Sequence, residues 1–426
     1  MTMKKIGRWQ GAGLLATTLL GTGVFILPQM TIAIAQDNAI YTWILLTIAI
    51  IPVTLVFGKL AAKFPHAGGP AYFAEQAFGK TFGRSIGLIF LCIVPLGVPA
   101  AILMTLEFVH VLLPLHGWEI LIAEALILAL LFLLNHRGIQ VSAKLQFALT
   151  LAVVALVFIL LGIAFGFSPT EITSKPTQMN VATAFSLSSP ILVAAGIAFW
   201  SFLGVEAMTH LSAEFEDPQN DMIPAMMIGT VIVGIVYVAC TVLLLQITND
   251  SSLQMVGAFN QLIGGEIGAI VIGIIGIAGG LATTNVYTAS TARLIQSFSE
   301  QAVLPSYFAK KNNYGVPERA LKLVLVAMTI TLTFSYFTGI DLEHLISWVN
   351  GVFVIIYFTT MIAALKLLNG ANKLSILFGC VFCVLLASGL AEKMSYAVVL
   401  LIGCYCFLSW QLKRQQAKLK PQVNGY

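Results

Sequence analysis

The chain has 426 residues, of which 58% are hydrophobic and only 9% are charged, and its mean hydropathy is +0.93. Soluble globular proteins carry about 25% charged residues, so a soluble chain with so few charges would expose large apolar patches. The composition therefore excludes a soluble fold, a disordered chain, a coiled coil and a nucleic-acid-binding arm, and the net charge of +4 does not indicate nucleic acid as a partner. It predicts a protein embedded in the lipid bilayer.

Runs of about 20 apolar residues, the length of helix that crosses the hydrocarbon core, recur along the whole chain. The first run follows Lys4, Lys5 and Arg8, but it extends to about residue 35 with no short cleavage site, which is typical of a membrane span and not of a removed signal peptide. The chain is thus predicted to be an all-α integral membrane protein. Its twelve predicted spans cover residues 11–35, 41–62, 86–112, 118–135, 144–167, 188–212, 223–247, 265–292, 321–338, 343–366, 372–391 and 394–412.

The positive charges favour one orientation of these spans. With the N-terminus in the cytoplasm, all of the 22 lysines and arginines except Lys175 and Lys393 lie at cytoplasmic loops or helix ends. Cytoplasmic loops carry such an excess, so both termini are predicted to be cytoplasmic. Tryptophans close to predicted span ends are expected to anchor at the membrane interface; they are Trp43, Trp118, Trp348 and Trp410.

The six cysteines all lie inside apolar runs. Cys380 and Cys383 form a C-x-x-C pair, but no second ligand pair follows at a spacing suited to zinc. The cysteines are therefore predicted to be small packing residues, with no metal site and no cofactor.

The first span contains a sequence that favours a break in the middle of a helix. Gly21, Thr22, Gly23 and Val24 follow a run of apolar residues, and each glycine weakens a helix by about 1 kcal/mol. The alternative is that Gly21 and Gly23 only let neighbouring helices pack closely, as small residues often do in membranes.

The sixth span has a second such sequence, in which Phe199, Trp200, Ser201 and Phe202 precede Gly204 and the buried carboxylate of Glu206. Spans 1 and 6 are equivalent members of two five-helix halves, and interruptions at matching places point to the binding site of a transporter. Unwound backbone inside a bilayer has to bond to something.

The chemistry of the two breaks indicates a zwitterionic ligand. A half-helix that starts after Gly21 presents the free N–H groups of Thr22, Gly23 and Val24 and the positive end of its dipole, which suit a carboxylate. A half-helix that ends near Ala198 to Ser201 presents free carbonyl groups and the negative end of its dipole, which suit an ammonium. The predicted partner is therefore a small-molecule amino acid.

Five motifs of the chain, in the same order, resemble those of the amino acid–polyamine–organocation (APC) transporters. This resemblance implies a LeuT-type five-plus-five inverted repeat with discontinuous helices 1 and 6, whose halves would be residues 1–167 and 168–367, followed by helices 11–12 and a cytoplasmic tail at 368–426. The motifs are Gly21–Phe25, Pro65–Tyr72 with Phe78-Gly79, Trp200–Glu206, Glu214–Ala225, and Arg293 with Leu304-Pro305, Phe308 and Pro317.

Within this superfamily, Leu19–Phe25, Pro95–Ala100 and Asn350–Phe353 are most similar to bacterial exporters of L-methionine and branched-chain amino acids. The resemblance implies proton-coupled efflux of methionine, leucine, isoleucine and valine across the inner membrane by alternating access, in a monomer or homodimer. The alternative is an importer or exchanger of neutral amino acids with the same fold.

The family pattern also implies which residues surround the substrate side chain. They are Ile93, Val94, Gly97 and Val98 on span 3, Trp200 and Phe202 on span 6, and Tyr287 on span 8. This lining would stabilise an apolar side chain by roughly 1.5–3 kcal/mol through burial and would leave a cationic one unpaired. Trp200 is expected to act as a gate, or else as a packing aromatic, and Tyr357 to help close the cytoplasmic side.

Only three acids lie well inside the spans: Glu107, Glu124 and Glu206. Glu206 is a candidate proton carrier, or it accepts backbone N–H bonds that hold the break in shape. Val153 stands about where many uptake members of the superfamily have a lysine, so lysine-based coupling is not expected. Thr283 and Thr284 are predicted either to bind sodium or to bond back to their own helix.

Two other functions are disfavoured by the sequence. A channel would require rings of polar or charged residues along several spans. An enzyme in the membrane would require a catalytic constellation such as H-E-x-x-H or G-x-S-x-G. Neither pattern occurs, so the chain is predicted to be a carrier and not an enzyme.

Overall fold

The computed structural model describes residues 6–21, 23–66, 68–138, 143–167, 189–247, 253–264 and 267–419. Over these ranges the backbone forms α-helices joined by short 3-10 segments and turns, and its only bridge of β type is an isolated parallel one between Ile6 and Phe215. The predicted all-helical class is therefore confirmed.

Sixteen α-helices lie within the described ranges. They are α1 (Arg8–Leu20), α2 (Leu27–Ala35), α3 (Ala39–Lys63), α4 (Gly69–Phe78), α5 (Lys80–Leu112), α6 (Trp118–His136), α7 (Ala143–Phe167), α8 (Pro190–Ala198), α9 (Val205–His210), α10 (Pro218–Gln246), α11 (Gln254–Ile263), α12 (Ile267–Glu300), α13 (Glu318–Thr338), α14 (Leu342–Leu367), α15 (Lys373–Leu390) and α16 (Met394–Leu419).

By length and composition, ten helical stretches of the described chain could cross a membrane, so the protein is a multi-pass membrane protein. Three of these stretches, Leu27–Lys63, Pro190–His210 and Lys373–Arg414, each join two helices. Helix α1 has 13 residues and spans only about 20 Å, because an α-helix rises 1.5 Å per residue. The count of twelve spans therefore remains a prediction.

Local sequence explains where several helices begin. Ser189 caps α8, where its Oγ accepts a hydrogen bond from the N–H of Ile191 at 3.2 Å and Pro190 occupies the first turn. Asp217 caps α10, where Oδ1 accepts from the N–H groups of Gln219 and Asn220, each at 3.2 Å. The side-chain amide of Asn220 also donates to Asp217, and this bond is the main reason why the pKa of Asp217 lies below its usual value.

The core lies where α1 and α3 pack against α10, and where α5 packs against α12. Trp43 stacks on Tyr237 with ring centroids 4.4 Å apart, and its indole N–H donates to Thr31 Oγ1 at 2.9 Å. Trp43 is completely buried, so the prediction that it anchors at the membrane interface is wrong: its span end packs inside the helix bundle. Trp118 and Trp410, in contrast, are 68% and 54% exposed.

Candidate functional site

The backbone breaks between α1 and α2, as the glycines at 21 and 23 predicted. Gly21 has φ 25° and ψ −120°, a conformation that side chains disfavour. A Cβ atom at Gly21 would also lie 2.8 Å from Thr283 Oγ1 on α12. A Cβ atom at Gly23 would lie 2.7 Å from the Leu27 side chain and 2.9 Å from the Tyr237 hydroxyl. Both positions therefore require glycine in this arrangement.

The hydrogen bonds of this first break differ from the expectation at one position. The N–H of Val24 donates to the carbonyl of Leu20 at 3.1 Å, and the Val24 side chain is 1% exposed. The prediction that Val24 offers a free N–H to a ligand is therefore wrong for this conformation, because the turn after Gly21 folds back on the end of α1. Thr22 lies outside the described residues.

The second break separates α8 from α9. After α8 the chain forms a 3-10 segment at Phe199–Phe202, and Gly204 then takes φ 132°. A Cβ atom at Gly204 would lie 2.9 Å from Thr18 Cγ2 and 3.0 Å from Leu19 Cδ2. The second break thus lies directly against the end of α1, next to the first.

Side chains already bond to carbonyl groups at the end of α8. Asn350 Nδ2 donates to the carbonyls of Gly196 at 2.7 Å and Ile197 at 3.2 Å, and Ser201 Oγ donates to that of Ala198 at 2.7 Å. The carbonyl groups expected to hold an ammonium at this end are therefore partly occupied within the protein. Asn350 was not predicted to take this part; the signal was the single amide side chain of its span.

Glu206, at the start of α9, is fully buried. Its Oε2 accepts hydrogen bonds from the N–H of Gly204 at 2.9 Å and from the Tyr357 hydroxyl at 2.6 Å. The Tyr357 oxygen is also 3.0 Å from the carbonyl of Phe202. Among the described residues, no group bonds to Glu206 Oε1. Glu206 and Tyr357 therefore join the second break to α14.

A cavity lies between the two breaks, with about 570 Å³ of space that no atom fills, including the part open to solvent. Its walls come from α1 and the first break, α5, the second break, α12 and α14. The lining residues are Thr18, Leu19, Gly21, Gly23, Ile93, Val94, Gly97, Val98, Ala101, Trp200, Leu203, Thr283, Thr284, Tyr287, Val349 and Phe353.

None of the described residues that line this cavity carries a charged side chain. Two of its hydroxyl groups bond to their own helices: Thr18 Oγ1 donates to the Leu14 carbonyl at 2.8 Å, and Thr284 Oγ1 donates to the Gly280 carbonyl at 2.9 Å. Thr284 thus follows the second of the two alternatives predicted for it. The cavity is suited to an uncharged apolar group, and any charged group in it would have to be met by the backbone.

A family model described as amino acid permease matches residues 6–409 of the chain. The chain belongs to the amino acid permease family. Members of such a family carry amino acids across membranes, so the permease belongs to a family of transporters and not of enzymes. The resemblance to APC transporters is thereby confirmed.

Named relatives match this permease over most of its length. It is 34% identical to the L-methionine/branched-chain amino acid exporter YjeH of Escherichia coli strain K12, over 95% of this chain and 96% of the relative. It is 26% identical to the uncharacterized amino acid permease YecA of Bacillus subtilis, over 84% of each chain. It is 22% identical to the cadaverine/lysine antiporter of Escherichia coli, over 99% of this chain and 98% of the relative.

The structure brings most of the predicted site residues of the permease together and leaves others outside the cavity. Those on its wall are Gly21, Gly23, Ile93, Val94, Gly97, Val98, Trp200 and Tyr287. Phe199, Ser201 and Phe202 are buried and do not line it. Phe199 instead packs edge-on against Tyr357 at 5.2 Å. A 3-10 segment turns successive side chains by about 120°, so one of its residues faces the cavity while its neighbours face the core.

Other lining residues were not predicted. Ala101 lies one turn beyond Gly97 on α5, and Val349 and Phe353 lie one turn apart on α14. Residues four apart share a helix face, so extending the face from Gly97 would have found Ala101. Nothing in the sequence indicated which face of α14 meets α5.

Proposed function

We propose that this permease exports neutral apolar L-amino acids, namely methionine, leucine, isoleucine and valine, by alternating access coupled to protons. The observation that carries the proposal is the uncharged, largely apolar cavity enclosed by two broken helices. The relative that is 34% identical, named as an L-methionine/branched-chain amino acid exporter, supports the substrate class and the outward direction.

The backbone of the breaks would bind the two charged groups that every α-amino acid shares. We place the α-carboxylate at the N–H groups of Thr22 and Gly23, near the start of α2, where the helix dipole favours an anion. We place the α-ammonium at the carbonyls of Trp200 and Leu203, which belong to the second break and line the cavity. Val24 contributes packing in this conformation.

The side chain of the substrate would lie against Ile93, Val94 and Gly97 on α5. A buried aliphatic side chain gains roughly 1.5–3 kcal/mol in such a site. An arginine or glutamate side chain would be desolvated without a partner, at a cost of several kcal/mol. Trp200 and Tyr287, which both line the cavity, would close over the substrate.

The hydrogen bonds around Glu206 can be made in both of its protonation states. When Glu206 is ionised, its carboxylate accepts a hydrogen bond from the Tyr357 hydroxyl. When Glu206 is protonated, it donates a hydrogen bond to the Tyr357 oxygen, and the Tyr357 hydroxyl then donates to the Phe202 carbonyl. This supports Glu206 as the carrier of the coupled proton. The N–H bond from Gly204 supports the alternative, in which Glu206 only holds the second break in shape.

The topology of the proposal has twelve spans, both termini in the cytoplasm, and halves at 1–167 and 168–367, with residues 368–426 outside the repeat. Support comes from the asymmetry of the lysines and arginines and from the two breaks, which fall in the first span of each half. The assembly would be a monomer or a homodimer in the inner membrane.

A transport assay tests the proposal. Purified permease in proteoliposomes loaded with labelled leucine should release it saturably, faster when a proton gradient is imposed, and unlabelled methionine should compete. Release of arginine at a rate equal to that of leucine would contradict the substrate class. Exchange that ignores the proton gradient would favour the alternative of a neutral amino acid exchanger, an activity in keeping with the relative named as an antiporter.

A further inference from the structure

A second cavity shares no lining residue with the proposed substrate site. It lies between the C-terminal end of α6 and the N-terminal end of α13. It is an open surface cavity with about 1060 Å³ of unfilled space, including open solvent. In the proposed topology it faces the cytoplasm. Its lining is His136, Tyr307, Lys310, Lys311, Asn312, Asn313, Tyr314, Glu318, Arg319 and Lys322.

The cavity carries an excess of positive charge. Its one carboxylate, Glu318, is 2.6 Å from Lys322 Nζ and 3.8 Å from His136 Nδ1. Among the described residues, no carboxylate lies within 4 Å of Lys310 or Lys311. The two exposed ammonium groups therefore remain available to an anion.

Hydrogen bonds hold the loop that forms the cavity. Asn312 Nδ2 donates to the carbonyl of His136 at 2.9 Å, which attaches the loop to the end of α6. Asn312 Oδ1 accepts from the N–H groups of Tyr314 at 2.9 Å and Val316 at 3.0 Å. Lys310 and Lys311, which precede Asn312, are therefore attached to a turn that hydrogen bonds hold in place.

Arg319 supports the other wall. Its guanidinium lies 4.1 Å from the ring centroid of Tyr307, and it donates to the Tyr307 carbonyl at 3.2 Å. Tyr307 and Tyr314 are 58% and 61% exposed. Exposed tyrosines beside a basic cavity are typical of the membrane interface, where a ring can meet both headgroups and water.

An apolar surface continues directly from the cavity along two helices that pack together, α6 and α13. On α13 the residue after Lys322 is Leu323, and Val326 and Ile330 follow with 56% and 64% of their surfaces exposed. On α6, Leu133 is 60% exposed and lies three residues before His136. A soluble anion would make no contact with this apolar surface, whereas the acyl chains of a lipid would cover it.

We propose that this cavity binds the phosphate-bearing headgroup of an anionic phospholipid, with the acyl chains along the exposed faces of α6 and α13. Lys310 and Lys311 bind the phosphate, and Tyr307 and Tyr314 flank the headgroup. Basic pockets between membrane helices suit such headgroups. The assignment to the cytoplasmic leaflet rests on the proposed topology; the binding itself does not depend on which amino acid is transported.

Native mass spectrometry of the full-length protein in detergent tests this site. The double variant Lys310→Gln/Lys311→Gln is compared with Lys80→Gln/Lys373→Gln, which removes the same charge from exposed lysines outside the cavity. Each protein is titrated separately with phosphatidylglycerol, phosphatidylcholine and inorganic phosphate. The wild type and the control variant should retain phosphatidylglycerol in preference to phosphatidylcholine, and the cavity variant should bind it about fivefold more weakly for each lysine removed.

Two results would overturn the proposal. Equal weakening in both variants would indicate attraction to net charge and not to this cavity. Retention of inorganic phosphate by the wild type without preference for the anionic lipid would assign the cavity to a soluble anion. Because lipid retention is measured without transport, either failure is distinct from failure of the proposed export activity. A melting temperature in detergent equal to that of the wild type shows that both variants are folded.

Discussion

The hydroxyl of Tyr357 on α14 lies 2.6 Å from Oε2 of Glu206 on α9, inside the membrane-embedded core. The same hydroxyl is 3.0 Å from the carbonyl of Phe202 in the second break. One tyrosine thus joins a buried carboxylate, an irregular backbone segment and a helix that contributes Val349 and Phe353 to the wall of the cavity. Movement of α14 during transport would therefore stretch or break the hydrogen bond between Tyr357 and Glu206.

Replacement of Tyr357 by phenylalanine removes the hydroxyl that lies 2.6 Å from Glu206 Oε2 and 3.0 Å from the Phe202 carbonyl, so a buried acceptor loses a hydrogen bond. The cost of leaving such a group unsatisfied is about 1–3 kcal/mol. We expect a lower melting temperature in detergent and slower leucine exchange. Tyr336→Phe on α13, where the side chain is 36% exposed, is the matched control and should change neither quantity; equal loss in both variants would contradict the role assigned to Tyr357.

Replacement of Glu206 by glutamine separates its two alternative roles. If Glu206 carries the proton, the variant should still exchange leucine for leucine but fail to couple net efflux to a proton gradient. If it only holds the second break through Gly204 and Tyr357, exchange and net efflux should fall together. Both fluxes can be measured in one preparation of proteoliposomes. If exchange and net efflux are both unchanged, Glu206 has neither of the two roles.

Gly21→Ala should disrupt the first break. Alanine at φ 25° is strained by about 1–2 kcal/mol, and its Cβ would lie 2.8 Å from Thr283 Oγ1. We expect transport to fall strongly and Thr283→Ala to restore part of it in the double variant. Gly162→Ala in α7, where a Cβ meets nothing within 4 Å, should preserve transport and raise stability by up to about 1 kcal/mol. A harmless Gly21→Ala would show that the break tolerates a side chain.

Gly97→Ala should change selectivity without disturbing the fold. A Cβ at this position would make ordinary contacts with Val349, the nearest atom at 3.6 Å, and would occupy part of the substrate cavity. A methylene-sized change in an apolar pocket is worth about 1–3 kcal/mol. We therefore expect methionine and leucine to compete less well than valine against labelled leucine. A ranking of the three competitors unchanged from that of the wild type would place the side chain of the substrate elsewhere.

The N-terminal cap of α10, which lies outside the membrane-spanning segments, predicts that the stability of the fold depends on pH. The bonds from Asn220 and two backbone N–H groups lower the pKa of Asp217 from 3.8, so the folded state binds its proton less readily than the unfolded chain does. This stabilisation is complete above about pH 3.8 and is lost as the pH falls through the lower value of the folded state. Asp217→Asn keeps a capping oxygen and should lose that acid dependence in melting curves. A curve identical to that of the wild type would rule the cap out as its source.

Several features of the permease could be predicted from the sequence because they depend on local chemistry. Apolar runs of membrane length specify helices, since backbone groups in lipid must bond within their own segment. Gly21, Gly23 and Gly204 mark the breaks because only glycine accepts their dihedral angles or close contacts without strain. The apolar lining at Ile93, Val94 and Gly97 followed from one helix face once the family pattern had placed that face at the site.

Only the tertiary structure decided where the other side chains point. Phe199, Ser201 and Phe202 adjoin Trp200 in sequence, yet the tight turn of a 3-10 segment directs them into the core and Trp200 into the cavity. Asn350 and Tyr357 bond to groups that are more than 150 residues away. Trp43 is buried because α3 packs against α10. Periodicity fixes the relative directions of side chains within a regular helix, but it specifies neither their directions in an irregular segment nor which neighbouring helix they meet.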